Sequence, residues 1–287
     1  MTEIHHFAYG WITPTIAYVM SFLGSLLGLV LAARSRQSAG TGRIVQLLLA
    51  GVAIGGTGIW LMHFMAMLGF DVPRSAVRYD VSTTVASLVI AVVVVSGGLF
   101  IVGLGEWGMP RVVAGGVLTG LGVAAMHYTG MAALHVGGQV TYDPGLVTLS
   151  LLIAIAAAIV ALWCAVVISG AAATVGAALV MGVAVCGMHY TGMAAVQVQL
   201  DGSSVAGAVE PFTLVTPIGI LACVVISSLA YVTVGFSMQE ENAREEVQFL
   251  ARVRLEHRST RPAGPSRYQG TAAVQQRPFQ AQRADAA

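Results

Sequence analysis

The chain has 287 residues, of which 56% are hydrophobic and only 9% charged, with no lysine and a net charge of +1. A soluble domain of this size carries roughly a quarter of its residues as charges, so a water-facing globular protein is excluded. Near-neutral charge argues against a nucleic-acid partner, and the three cysteines (Cys164, Cys186, Cys223) all lie in apolar runs and imply no disulfide framework.

Apolar runs of about 20 residues, each long enough to cross a bilayer core, recur along the chain. They fall at roughly 11–33, 44–69, 82–104, 112–135, 146–169, 174–198 and 213–237. Seven transmembrane helices in an all-α membrane protein are predicted, because a bilayer tolerates only structures that satisfy their backbone polar groups internally. Only Glu3 precedes the first run, with no basic residue, so that run reads as a retained helix rather than a cleaved signal peptide.

Arginines set the orientation. Arg34, Arg36 and Arg43 lie between the first two spans, Arg111 between the third and fourth, and eight more follow the seventh. The opposite loops carry Arg74 and Arg78 beside Asp71 and Asp80, then Asp143, Asp201 and Glu210 with no basic residue. The positive-inside rule places the N-terminus outside and the C-terminus in the cytoplasm, as expected of a multi-pass protein of the cell (inner) membrane. Tyr9, Trp11, Tyr79 and Tyr142 sit near the outer span ends, where amphipathic rings prefer to lie.

The octapeptide MHYTGMAA occurs at 126–133 and again at 188–195, and MHFMAML begins at Met62. Their histidines, His63, His127 and His189, are 64 and 62 residues apart, each on the second helix of a helical pair. The chain therefore divides into three tandem two-helix repeats plus a seventh helix. Each repeat crosses the membrane twice, so all three histidines reach the same side, roughly 9–14 Å below the outer boundary at 1.5 Å of rise per residue. Gly51/Gly55, Gly116/Gly120 and Gly24/Gly28 are small-residue pairs suited to close helix packing.

Within each copy a methionine follows the histidine by four residues, pairing His63 with Met67, His127 with Met131 and His189 with Met193 on one helical face. Met62, Met126 and Met188 precede the histidines directly and point about 100° away around the helix. Imidazole with thioether selects copper rather than zinc, calcium or magnesium, and haem iron is the other centre that takes both. A single intramembrane histidine more often packs or hydrogen-bonds, and methionine fills apolar gaps. Three copies at one depth favour a metal centre, since packing alone does not require repetition of a costly polar group. Tyr128 and Tyr190, directly after their histidines, add hydroxyls for a bound ligand, whereas Phe64 in the first copy does not. Cys186 is read as a small hydrophobe, and His135 and the His5/His6 pair as surface histidines.

After residue 237 the composition turns charged, and 238–258 is expected to form a cytoplasmic helical stalk with Val247, Leu250 and Val253 as a thin apolar stripe. Residues 259–287, rich in Pro, Gln, Ala and Arg, are expected to be a disordered tail.

The repeated motif on alternate spans resembles the MHYT domain, an integral membrane sensor module of bacteria, over about residues 7–237. The resemblance implies a copper site formed by Met62, His63, Met67, Met126, His127, Tyr128, Met131, Met188, His189, Tyr190 and Met193, proposed to sense a diatomic gas such as oxygen, carbon monoxide or nitric oxide. Similar proteins often continue into cytoplasmic domains that make or degrade cyclic di-GMP, or into kinases. About fifty residues follow the last span here, too few for such an enzyme, so any signal is expected to leave through a separate cytoplasmic signalling protein or through the helical stalk. No phosphate-binding loop, nucleophile elbow or paired intramembrane carboxylate points to catalysis in this chain, and nothing in the sequence sets an oligomeric state. The alternatives are a copper transporter, disfavoured because the inner half offers only Gln46 and Met181, and a b-type haem protein using two of the histidines.

Overall fold

The structure is a computed structural model that describes residues 4–106, 108–202 and 208–220, with short stretches as far as 250. Six long apolar helices dominate it: α1 (Ile12–Ser35), α2 (Gly40–Met67), α3 (Val81–Gly103), α4 (Met109–Ala132), α5 (Pro144–Val167) and α6 (Ala171–Ala194). A seventh, α7, begins at Pro211 and is described through Ile220, and beyond it the expected seventh span is described only at 223–224, 227–228 and 230–231, all helical. The expected stalk and tail at 238–258 and 259–287 lie outside the described residues, apart from Phe249 and Leu250.

Each helix packs on the next, α1 on α2, α2 on α3 and so on to α6, and α6 packs back on α1. The six thus close into a ring, with the second helices of the repeats, α2, α4 and α6, alternating with the first. Glycines make these contacts close. A side chain at Gly24 would strike the backbone of Gly58, one at Gly55 the backbone of Ala91, and one at Gly120 the backbone of Ile155. The small-residue pairs therefore join α2 and α4 to their ring neighbours rather than to the other second helices. At the end of the bundle away from the repeated motif, the Arg36 guanidinium donates to the carbonyls of Ala165 (2.8 Å) and Ile168 (2.5 Å), supplying donors to the free C-terminal carbonyls of α5.

Helix α2 departs from its counterparts. It runs 28 residues against 24 for α4 and α6, and Val52–Leu61 within it is π-helical. A wider helical turn of this kind changes the rotation of everything after it, and it stands immediately before His63.

The helix ends that carry the repeated motif lie under a small β cap. Strands β1 (Arg78–Tyr79) and β2 (Leu134–His135) pair antiparallel, as do β3 (Gly138–Tyr142) and β4 (Val196–Leu200). Hydropathy had carried the fourth and sixth spans through to 135 and 198, but the chain leaves the helix at Ala132 and Ala194. Val196 and Val198 are buried while Gln199 is exposed, so the apolar residues that extended the runs belong to a strand with one buried face. Three equivalent backbone hydrogen bonds tie the cap to the helices: Ala8 N–H to Gly69 (2.9 Å), Asp80 N–H to Ala133 (2.9 Å) and Asp143 N–H to Ala195 (2.8 Å). Each accepting carbonyl lies six residues beyond its motif histidine. Asp80 and Asp143 then cap the helices that follow, accepting from Thr83 N–H (2.7 Å) and Leu146 N–H (2.9 Å).

Candidate metal centre

His63, His127 and His189 stand four or five residues before the ends of α2, α4 and α6, about 6–8 Å down the helices. The helix ring turns all three inward, where their exposures are 1%, 0% and 1%. His63 Nδ1 lies 3.0 Å from His189 Nδ1 and 3.1 Å from His127 Nδ1. One nitrogen from each ring falls within 4.8 Å of the others, a grouping of three possible ligand atoms. The rings stand edge-on to one another, at interplanar angles of 79°, 83° and 86°.

This convergence has a cost when only the protein's own atoms meet it. Nδ1 of an imidazole offers a single in-plane site, either a proton or a lone pair. His63 Nδ1 can therefore complete only one of its two contacts as a good hydrogen bond. A cation among the three would accept all three lone pairs at once, which is how buried imidazole clusters are ordinarily resolved. The outward Nε2 atoms have no hydrogen-bond partner among the described residues.

Two of them, on His63 and His127, instead face the motif glycine of the next repeat. A Cβ at Gly130 would sit 2.5 Å from His63 Nε2, and a Cβ at Gly192 would collide with His127 Nε2. The motif glycine, three residues after the histidine, is thus the socket for the neighbouring imidazole. Ala66 holds the corresponding place in the first copy, buried at 3% exposure. The glycine was present in the quoted octapeptide, yet its role depends on a neighbouring helix and could not be read locally.

The aromatic after each histidine braces it edge-on: Phe64 on His63 at 4.8 Å and 89°, Tyr128 on His127 at 4.9 Å and 83°, Tyr190 on His189 at 4.9 Å and 76°. A second aromatic, at the start of a first helix, closes on each of these. Tyr79 meets Phe64 at 6.0 Å, Tyr142 meets Tyr128 at 5.8 Å and Phe7 meets Tyr190 at 5.6 Å. Sequence reasoning placed Tyr79 and Tyr142 at the membrane boundary but missed this pairing. Burial pushes both phenols up, with the charge of Tyr128 adding to the effect at Tyr142.

The hydroxyls do not all serve one purpose. Ser150 gives its proton to the Val147 carbonyl (2.8 Å), so Tyr128 donates to Ser150 Oγ (2.6 Å), on α5. The Tyr190 hydroxyl is buried with no partner among the described residues. In the first copy the hydroxyl sits on Tyr79 rather than at position 64, and donates to the Met67 carbonyl (3.5 Å).

All six candidate methionines are buried: Met62, Met67, Met126, Met131, Met188 and Met193. Met62 packs in a small cluster with Ala17 and Ala66, bordered by Cys186 and Tyr190, while the other five belong to the main apolar core. His135 lies on β2, 3.0 Å from the Ala133 carbonyl. His6 is half-buried against Phe70, and burial, reinforced by the charge of His5, pushes its imidazole down.

A family model described as a bacterial signalling protein N-terminal repeat, named MHYT, matches three successive stretches, 56–115, 120–180 and 182–247. Each stretch takes one motif helix with the first helix after it, the same partners joined by the aromatic pairs Phe64–Tyr79 and Tyr128–Tyr142. Among curated proteins, a bifunctional diguanylate cyclase/cyclic di-GMP phosphodiesterase, MucR, of Pseudomonas aeruginosa is 39% identical over 198 residues, 67% of this chain and 29% of its own length. The cyclic di-GMP phosphodiesterase NbdA of the same organism is 40% identical over 49% of this chain and 18% of its own. The signaling protein YkoW of Bacillus subtilis is 31% identical over 54% of this chain and 20% of its own. The chain thus spans less than a third of the length of these relatives. No solved structure matches it.

Proposed function

Taking as premise that this chain belongs to the MHYT family of bacterial signalling-protein repeats, and is a multi-pass membrane protein of signalling type, we propose that it senses a diatomic gas or redox state through copper held by His63, His127 and His189. The observation that carries this reading is the meeting of three buried Nδ1 atoms, those of His189 and His127 lying 3.0 and 3.1 Å from that of His63. Bound copper supplies a redox-active centre with affinity for diatomic ligands, and any of the six surrounding methionines brought to it would favour Cu(I).

The chain's own residues orient and enclose that centre. Glycines 130 and 192 leave room for the imidazoles, the edge-on aromatics fix their planes, and the β cap separates them from outside water. Nδ1 atoms this close leave no space for a porphyrin between two of the rings, which favours a bare ion over haem. Directly inward of the triad the lining is apolar (Ile59, Val123 and Val185, each one turn before a histidine), which favours a sensor over a transport path.

The arginine distribution supports an inner-membrane location with the N-terminus outside and the C-terminus cytoplasmic. Two relatives are named for cyclic di-GMP chemistry, and the output of this chain is proposed to act on the same second messenger through a cytoplasmic partner, with no catalysis by the membrane helices themselves.

Metal content and absorption of the purified full chain test the reading. Stoichiometric copper that disappears in the His127→Ala/His189→Ala double variant, with no Soret band, is the expected result. A Soret band lost in the variant transfers the site to haem. Stoichiometric zinc, or no metal after reconstitution under reducing conditions, overturns the proposal.

A further inference from the structure

An apolar cavity of about 50 Å³ lies immediately inward of the histidines. Its wall toward them is made by Ile59, Val123 and Val185, each four residues before a motif histidine and so one helical turn, about 5.4 Å, below it. One turn further in it is lined by Thr119 and Met181, each eight residues before its histidine, while α2 contributes Ile54. The cavity therefore touches all three motif helices and sits beneath the centre. On its sides Ala154 and Ala158 of α5 contribute only methyl groups.

The lining decides what can occupy it. Thr119 carries the one hydroxyl among its lining residues, and that hydroxyl has no hydrogen-bond partner among the described residues. A buried water needs two to four polar partners, so this space is dry in the way engineered apolar cavities are. Cavities of about 150 Å³ of that type take benzene or xenon, and a third of that volume suits a molecule of two heavy atoms. Apolar gases dissolve in the bilayer and reach α5 and α6 through lipid, without crossing the polar cap. We infer that this cavity is a docking site for an apolar diatomic gas, a waiting position one helical turn from the histidine centre; its role in sensing rests on the reading of that centre given above.

Xenon is the probe, because it enters small apolar cavities and needs no metal. Crystals of the full chain would be pressurised with xenon in metal-free and copper-loaded form, and the anomalous peaks located. The expected result is one peak bounded by Ile59, Val123, Val185 and Met181 in both forms, and its loss in Ala158→Leu, which fills the space. Ala154→Val, a smaller filling, serves if Ala158→Leu does not fold, and should lower the xenon occupancy several-fold. Absence of the peak in the wild type, an unchanged peak in the filled variants, or ordered water or a lipid chain in the cavity overturns the inference. Xenon bound by a chain that retains no copper leaves the docking site standing and overturns the copper reading. Copper retained with no xenon does the reverse.

Discussion

The first repeat and the two that follow it reach the same centre by different means. Repeats two and three carry the full octapeptide on regular α-helices of 24 residues, with a tyrosine after the histidine and a glycine two residues later. The first carries Phe64 and Ala66 at those places, on a longer helix with a π-helical stretch before His63. All three imidazoles are nonetheless buried to within a percent and meet at Nδ1. What is shared is the histidine, the edge-on aromatic ring and a small residue three positions after the histidine, which in repeats two and three lies beside a neighbour's Nε2. The tyrosine hydroxyl is not shared at the motif position, since in the first repeat it comes from Tyr79 instead. The common requirement is thus a fixed set of ring planes, and the hydroxyls belong to local packing.

The largest effect should come from closing a socket. Gly192→Val puts a branched side chain where His127 Nε2 lies, and the same change at Gly130 displaces His63. Each should cost about 1–3 kcal/mol by overpacking and abolish metal retention, read by thermal unfolding in detergent and by metal analysis. Ala66→Gly, at the same place in the first repeat, should cost only about 1 kcal/mol from lost helix propensity and keep the metal. Equal losses at all three positions would break the comparison.

Restoring the motif tyrosine in the first repeat should also destabilise. Phe64 is fully buried, so Phe64→Tyr brings in a hydroxyl that must displace its neighbours or go unpaired, at about 1–3 kcal/mol. Combining it with Tyr79→Phe, which removes the hydroxyl already there, should recover part of that loss; strict additivity in the double-variant cycle would show that the two rings do not share one niche. Tyr128→Phe is milder, about 1 kcal/mol, because Ser150 keeps its bond to Val147.

The smallest effect is a pH dependence confined to the cap. The Thr83 backbone N–H, then the Thr83 side chain, hold the Asp80 carboxyl below its usual range. A depressed carboxylate pKa contributes stability that is fully present above the unfolded value of about 3.9 and is lost as pH falls through the folded one. Asp80→Asn retains a good N-cap, so stability at neutral pH should barely change while the acid-side loss becomes shallower. Identical acid titrations of unfolding in the two proteins would remove Asp80 from that balance.

Much of this was legible in the chain. The apolar runs located six helices to within about four residues, because the cost of leaving backbone groups unpaired in lipid admits little else. The 64- and 62-residue spacing put three histidines at one level on one side, since two crossings return a chain to the same face. The strands at 138–142 and 196–200 were concealed, although Val196–Leu200 alternates apolar and polar residues, because a two-strand pairing joins segments 58 residues apart and adds to the apolar run of the helix before it. Other features had no local signal at all. Which imidazole nitrogen faces inward depends on helix rotation, and for His63 on a π-helical stretch that its sequence does not announce. The role of Gly130 is set by His63, and that of Gly192 by His127, residues on other helices. The cavity lies where Ala154, Ala157, Ala158 and Ala161 of α5 present only methyl groups to the motif helices. Composition and repeat spacing determined the membrane class, the helical repeats and the common level of the three histidines, because those follow from hydrophobicity and from the return of the chain after two crossings; the identity of the facing atoms was decided by tertiary structure, because rotation and neighbourhood are properties of the closed ring of helices.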